Sequence, residues 1–330
     1  MAVPAVLRRA ASSGPFGAVV DGLERLLPGR PDSLAVLTFH RVSPDDGTVP
    51  PGLLSATPET FGGLLDALAR RHRFVRLEDV LGRSRGGTSL PRRSLLLTFD
   101  DAYADFAQHA WPVIRERRLP VVLFVPTAYP DSHDRMFWWD RLYASILATR
   151  IPAIDLPGRS LSVTTPAERQ AAYRTLRASL KAMDHERLLQ GVDELVSKLC
   201  GDATEPPAAG NGVLGWDELR RLGAEGVALA PHTRTHPLLP GVPPNVVEAE
   251  IRGSRDDLAR ETDSDLPVFA YPAGAWSPEV AESARAAGIE VAFTTDRGVN
   301  SLDRANWLAL RRINVSARVP AAVVRAQVLR

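Results

Sequence analysis

The stretch Ser94-Leu95-Leu96-Leu97-Thr98-Phe99-Asp100-Asp101-Ala102-Tyr103 decides the fold. A short apolar run of this kind reads as a strand buried on both faces, as in a parallel sheet. Similar runs stand at 34–39, 121–125, 227–230, 268–271 and 291–294, with helical periodicity between them. The alternation predicts an α/β fold of parallel strands with crossover helices. Two helix starts are legible, Thr57-Pro58-Glu59 and Ser277-Pro278-Glu279, each with a capping hydroxyl before a first-turn proline and an acid. Gly288 closes the second of these helices. His40, Asp100, Asp101, His232 and Tyr271 fall at the ends of such runs. In a barrel, the carboxyl ends of the strands share one face.

The same reading divides the chain into a helical segment at 1–30, a body formed by 31–128 and 213–330, and a mostly helical insertion at 129–212. The insertion opens on the aromatic Met136-Phe137-Trp138-Trp139-Asp140, read first as core packing and second as a sugar-stacking surface. It closes in a Pro/Ala/Gly/Asn stretch at 206–212. Residues 16–27 have the periodicity of an amphipathic helix, read as docking on the body in preference to a membrane surface. No apolar run is long enough to span a bilayer and no signal peptide is read at the start, so the expected location is the cytoplasm. Forty basic against 39 acidic residues give no global field for nucleic acid or an anionic membrane, and a neutral partner such as a glycan fits better. Cys200 is alone, which excludes an internal disulfide.

Two adjacent carboxylates at a strand end project differently, so one can bind a cation while the other takes a proton from water. The same pair could instead cap a helix over 102–118. Pro231-His232-Thr233-Arg234-Thr235-His236-Pro237 is more specific, because two imidazoles four residues apart reach one metal from a single turn or tight loop. Asp101, His232 and His236 together form an N,N,O set that leaves positions open for water and substrate. Zinc is the first candidate ion, and cobalt, nickel or manganese suit the same donors.

These two motifs resemble the first two motifs of the NodB-homology polysaccharide deacetylases, carbohydrate esterase family 4, with Ala102 where the family has glycine. Phe269-Ala270-Tyr271-Pro272-Ala273-Gly274 stands where the family has its third motif. The resemblance implies a distorted, incomplete (β/α) barrel, Asp100 as general base, and Asp101, His232 and His236 as metal ligands. It also implies a backbone N–H near Ala273 for the oxyanion. Ala270 occupies the place of the arginine that orients the base, for which Arg311 or Arg312 is the candidate replacement. No histidine follows His236, so the family's C-terminal general acid is missing from 310–315 and His40 is the best substitute.

The implied activity is metal-dependent removal of N- or O-acetyl groups from a polysaccharide or oligosaccharide precursor, with an acetylated glycan as partner. An amide hydrolase acting on a non-glycan substrate and a catalytically silent glycan-binding domain are the alternatives. Trp276, Trp307 and Tyr103 are candidates to line a sugar cleft, with core packing as their default. His72, His109, His133 and His185 are read as surface or structural residues.

Overall fold

The structure, a computed structural model, describes residues 14–132, 136–201 and 212–329. His133, most of the 206–212 stretch and residues 1–13 therefore lie outside the described residues. The chain opens with helix α1 (Gly14–Leu26) and strand β1 (Ser33–Phe39), followed by a small parallel pair, β2 (Arg41–Val42) and β3 (Leu54–Ala56). Helix α2 (Pro58–Ala69), strand β4 (Arg73–Phe74), helix α3 (Leu77–Ser84) and strand β5 (Ser94–Phe99) come next. A π-helical turn at Phe106–Ala110 runs into helix α4 (Trp111–Glu116) and strand β6 (Val122–Val125). Helix α5 (Trp138–Ala148), the antiparallel hairpin β7 (Ala153–Leu156) and β8 (Arg159–Ser162), and helices α6 (Pro166–Lys181) and α7 (His185–Cys200) share a core of their own. The hairpin is an addition to the helices expected there.

The chain then returns through α8 (Trp216–Ala224), β9 (Ala228–Pro231), α9 (Pro244–Thr262) and β10 (Val268–Ala270). It ends with α10 (Pro278–Ala286), β11 (Val291–Arg297), β12 (Asn300–Ser301), β13 (Leu310–Asn314) and α11 (Ala321–Val328). Thr57 and Ser277 cap α2 and α10, each accepting a hydrogen bond from a backbone N–H three residues on.

The main sheet runs β10-β11-β13-β1-β5-β6-β9, with every neighbouring pair on that path parallel. Its two end strands, β9 and β10, lie side by side, which curves the sheet into the expected distorted, incomplete barrel. Strand β13 carries polar residues at three of its five positions, so no apolar run marks it in the sequence. It nevertheless occupies the middle of the sheet, between β11 and β1.

Strand alternation sorts the side chains into two layers. Val36, Leu96, Phe124, Ala270, Phe293 and Leu310 fill the inside of the barrel. Leu37, Phe39, Leu97, Phe99, Leu123 and Val125 face outward under the helices. Phe39 and Phe99 stack at 5.1 Å, and Phe61 of α2 meets both edge-on at 5.2 and 5.8 Å. A buried phenylalanine of this kind is worth about 3–5 kcal/mol against alanine. With these rings fixed outward, the next residues along, His40 and Asp100, come to the carboxyl ends of β1 and β5.

Trp307 does not reach that end. Its carbonyl accepts a hydrogen bond from Ala292 near the amino end of β11, and it packs against the inner layer there, so it lines no cleft at the strand ends. Among the described residues, no helix is long and apolar enough to cross a membrane.

Candidate active site

Period-two alternation continues the inner layer directly into the site. Asp100 follows Leu96 and Thr98, His232 follows Ala230, and Arg312 follows Leu310. All three polar side chains are buried. Phe124 forms the floor, with its ring centroid 6.3 Å from His232 and 5.8 Å from the Arg312 guanidinium.

Arg312 grips Asp100 with a two-pronged fork, Nη1 to Oδ1 and Nη2 to Oδ2, both at 2.7 Å. Its remaining Nε–H donates to the carbonyl of Thr294 at 2.8 Å. Burial, the largest single influence, pushes the Asp100 carboxyl up, but the charge and hydrogen bonds of Arg312, with His232 and His40 adding to them, together leave the group below its ordinary value. Asp100 is thus ionised at neutral pH and fixed in direction. Of the two arginines offered by the sequence, Arg312 takes this place, while Arg311 points outward and is exposed.

Asp101 turns into the left-handed region at φ 71°, which aims its carboxylate away from that of Asp100. Its Oδ1 lies 3.5 Å from His232 Nε2 and 3.4 Å from His236 Nε2. The ligand atoms of Asp101, His232 and His236 all lie within 4.8 Å of one another, and all three residues are buried. Asp101 Oδ1 has no hydrogen-bond partner among the described residues, so it does not cap the following helix. His232 Nδ1 lies 2.7 Å from the Ala270 carbonyl, across the gap between β9 and β10. A carbonyl can only accept, so that contact makes Nδ1 the donor and turns Nε2 toward Asp101. Burial holds His236 below the usual histidine range, hence neutral. An orphaned buried carboxylate oxygen facing two imidazole nitrogens is a donor set that fits a divalent cation.

The histidine loop is held in a strained form, with Thr233 at φ 66° and His236 at φ 60°. Glu250 of α9 braces it, accepting from the N–H groups of Arg234 and Thr235 at 2.7 and 2.9 Å and from the Thr235 hydroxyl at 2.6 Å. Asp257, two turns further along α9, accepts from Thr127 and Arg234. Sequence reasoning missed both acids. They lie in register with the buried stripe of Val247, Ile251, Ser254 and Leu258, and acids on the inward face of a helix were the available signal.

The aromatic opening of α5 packs against the same loop. Phe137 and Trp139 lie edge-on to the His236 ring at centroid distances of 5.6 and 4.8 Å. Trp139 Nε1 donates to the Tyr103 hydroxyl at 2.9 Å, and that hydroxyl donates to Asp140 at 2.5 Å. Tyr103 is fully buried by these contacts and is a wall, not a cleft residue.

His40 is half-buried at the end of β1, its backbone N–H donating to Ser55 Oγ at 2.9 Å. Ala273 sits in the turn after β10 at φ 52°, and its carbonyl accepts from Thr295 Oγ1. The neighbouring Gly274 is at φ 70°, and a Cβ there would stand 2.1 Å from Thr295 Oγ1, so only glycine fits. Trp276 lies on the outer wall, in a groove with Arg297 and Arg311, and not beside the triad. Ala102 adopts φ 49°, the left-handed backbone that explains the family's glycine, at a cost of about 1 kcal/mol for a residue with a Cβ. His72 is buried, His109 and His185 lie in helical segments, and none of the three joins the site.

The polysaccharide deacetylase family model matches residues 87–292, well over half of the chain. The matched stretch contains Asp100, Asp101, His232, His236 and Ala273, and stops short of Arg312. A curated relative, the putative polysaccharide deacetylase YxkH of Bacillus subtilis, is 25% identical over 100 residues, which are 30% of this chain and 36% of that protein. The deacetylase PplD of Streptococcus pyogenes, solved with acetate, superposes with a TM-score of 0.59 at 17% identity, covering 90% of this chain and 99% of that one. IcaB from Ammonifex degensii gives 0.59 at 18% identity, covering 91% and 98%. At these identities the structural matches establish the fold.

Proposed function

The chain belongs to the polysaccharide deacetylase family, and from that membership we propose that it is a metal-dependent hydrolase removing N- or O-acetyl groups from a polysaccharide or oligosaccharide precursor. One observation carries the proposal: a carboxylate kept ionised by a buried arginine fork stands next to a convergent Asp-His-His set. Asp101, His232 and His236 would hold a divalent ion, zinc in the first place, with cobalt, nickel or manganese suited to the same donors. When bound, the ion polarises the acetyl carbonyl and makes a water acidic enough to lose its proton near neutral pH.

Asp100 takes that proton, and Arg312 keeps its carboxylate free and aimed. Attack on the carbonyl carbon produces a tetrahedral oxyanion, to which the Ala273 N–H donates. His40 protonates the departing nitrogen or oxygen as the C–N or C–O bond breaks, releasing acetate and a free amine or hydroxyl. An alkoxide leaves more readily than an amide anion, so O-acetyl substrates depend less on His40. The Asp100–Arg312 pair supports a working site over a silent binding domain, since it supplies the function that Ala270 lacks.

The test is acetate release from acetylated glycans and chitooligosaccharides by metal-loaded protein, with Asp100→Asn and His232→Ala as controls. Release abolished by both substitutions supports the proposal. One equivalent of bound metal with no release from any substrate overturns it.

A further inference from the structure

A net charge near zero says nothing about where the charges lie, and α1 concentrates several features on its outward side. The helix docks through Val20 and Glu24, both buried. Its two acids, Asp21 and Glu24, both turn to Arg325 of α11. Asp21 stays half-exposed on its arginine, and the rest of the outward side is apolar and basic. Val19, Leu23 and Leu26, at helical spacings of four and three, form one stripe, and Leu26 is 80% exposed. Four of the seven large apolar side chains exposed among the described residues belong to this helix and Leu27 just beyond it.

Beside this helix lies a pocket of about 420 Å³ whose lining includes Leu27, Arg25, Arg70, Arg71, Arg73 and Arg93. Arg25, Arg70 and Arg71 are exposed and make no ion pair among the described residues. An apolar stripe whose accompanying acids are already neutralised, next to unpaired arginines, complements a surface that is apolar within and anionic at its rim.

We propose that α1 docks the protein on a membrane surface containing anionic lipid, with Val19, Leu23 and Leu26 entering the headgroup–acyl boundary and Arg25, Arg70 and Arg71 binding lipid phosphates. The amphipathic helix is held by one face on the body and offers the other to the bilayer. The barrel would then meet its substrate at a membrane face.

The experiment is co-sedimentation of the full chain with phosphatidylcholine vesicles, with and without added phosphatidylglycerol. The proposal expects binding to the anionic vesicles, weakened by salt, and little binding to the neutral ones. Arg70→Glu with Arg71→Glu lowers the vesicle partition constant by at least about fivefold per arginine lost. Leu23→Gln with Leu26→Gln lowers it independently, and unchanged thermal unfolding shows that both variants fold. Failure of the wild-type chain to bind anionic vesicles overturns the proposal, as does wild-type binding by the leucine variant. Concentration-dependent self-association lost in the leucine variant also overturns it, because the stripe would then be an interface between copies.

Discussion

Replacing Arg312 by methionine keeps an unbranched apolar stem but removes the guanidinium and its charge, with consequences set by its buried partners. Asp100 is left buried, stripped of both prongs of the fork, and the Thr294 carbonyl loses its donor. Breaking a buried pair from one side costs about 3–5 kcal/mol, a large share of a typical domain's stability. Adding Asp100→Leu removes the stranded charge, so the double variant should recover on the order of 2 kcal/mol over Arg312→Met alone. In the wild type the Asp100 carboxyl is depressed, so its contribution is present above the unfolded value and is lost as pH falls through the folded one. In Arg312→Met, burial dominates and the sign reverses, so stability declines as pH rises. The gap between wild type and variant should therefore widen as pH rises through the unfolded carboxylate value of about 3.9 and beyond it. Urea unfolding of the metal-free proteins measures both effects. A double variant no more stable than the single one, together with a gap flat in pH, would refute the assigned role of Arg312.

Glu250→Ala strands two loop N–H groups and should lower metal affinity about tenfold to a hundredfold in chelator competition, with Glu250→Gln milder because it keeps one acceptor. Trp139→Ala removes a wall of His236 and the donor to Tyr103, and should cost about 3–5 kcal/mol in thermal or urea unfolding. Trp139→Phe keeps most of the ring and loses only the donor to Tyr103, so it should recover most of the lost stability. Asp32 is held below the usual carboxylate range by hydrogen bonds from Arg83, with burial opposing them. Asp32→Asn, which tolerates the left-handed φ of 47°, should destabilise by about 1–2 kcal/mol at neutral pH. Because a depressed carboxylate loses its contribution as pH falls through its folded value, that difference should shrink in acid.

Much of this protein is legible in its sequence because the signals are local. Leu95-Leu96-Leu97 fixes a strand by its own apolar run, Asp100 and Asp101 stand at its end by adjacency, and His232 and His236 share a loop by their spacing. The capping of α2 and α10 is likewise written in Thr57-Pro58 and Ser277-Pro278. Long-range pairing is not local, and it decided the rest. Arg312 lies on a strand without an apolar run, 212 residues from Asp100, and only the parallel placement of β13 beside β1 turns it toward that carboxylate. Glu250 could be seen as an acid on an inward helical face, but not as the brace of the preceding histidine loop. Trp139 could be read as core, and only the docking of α5 shows that its neighbour in the core is His236. Sequence periodicity sets which face a side chain takes on its own element, and the packing of elements determines which other face it meets.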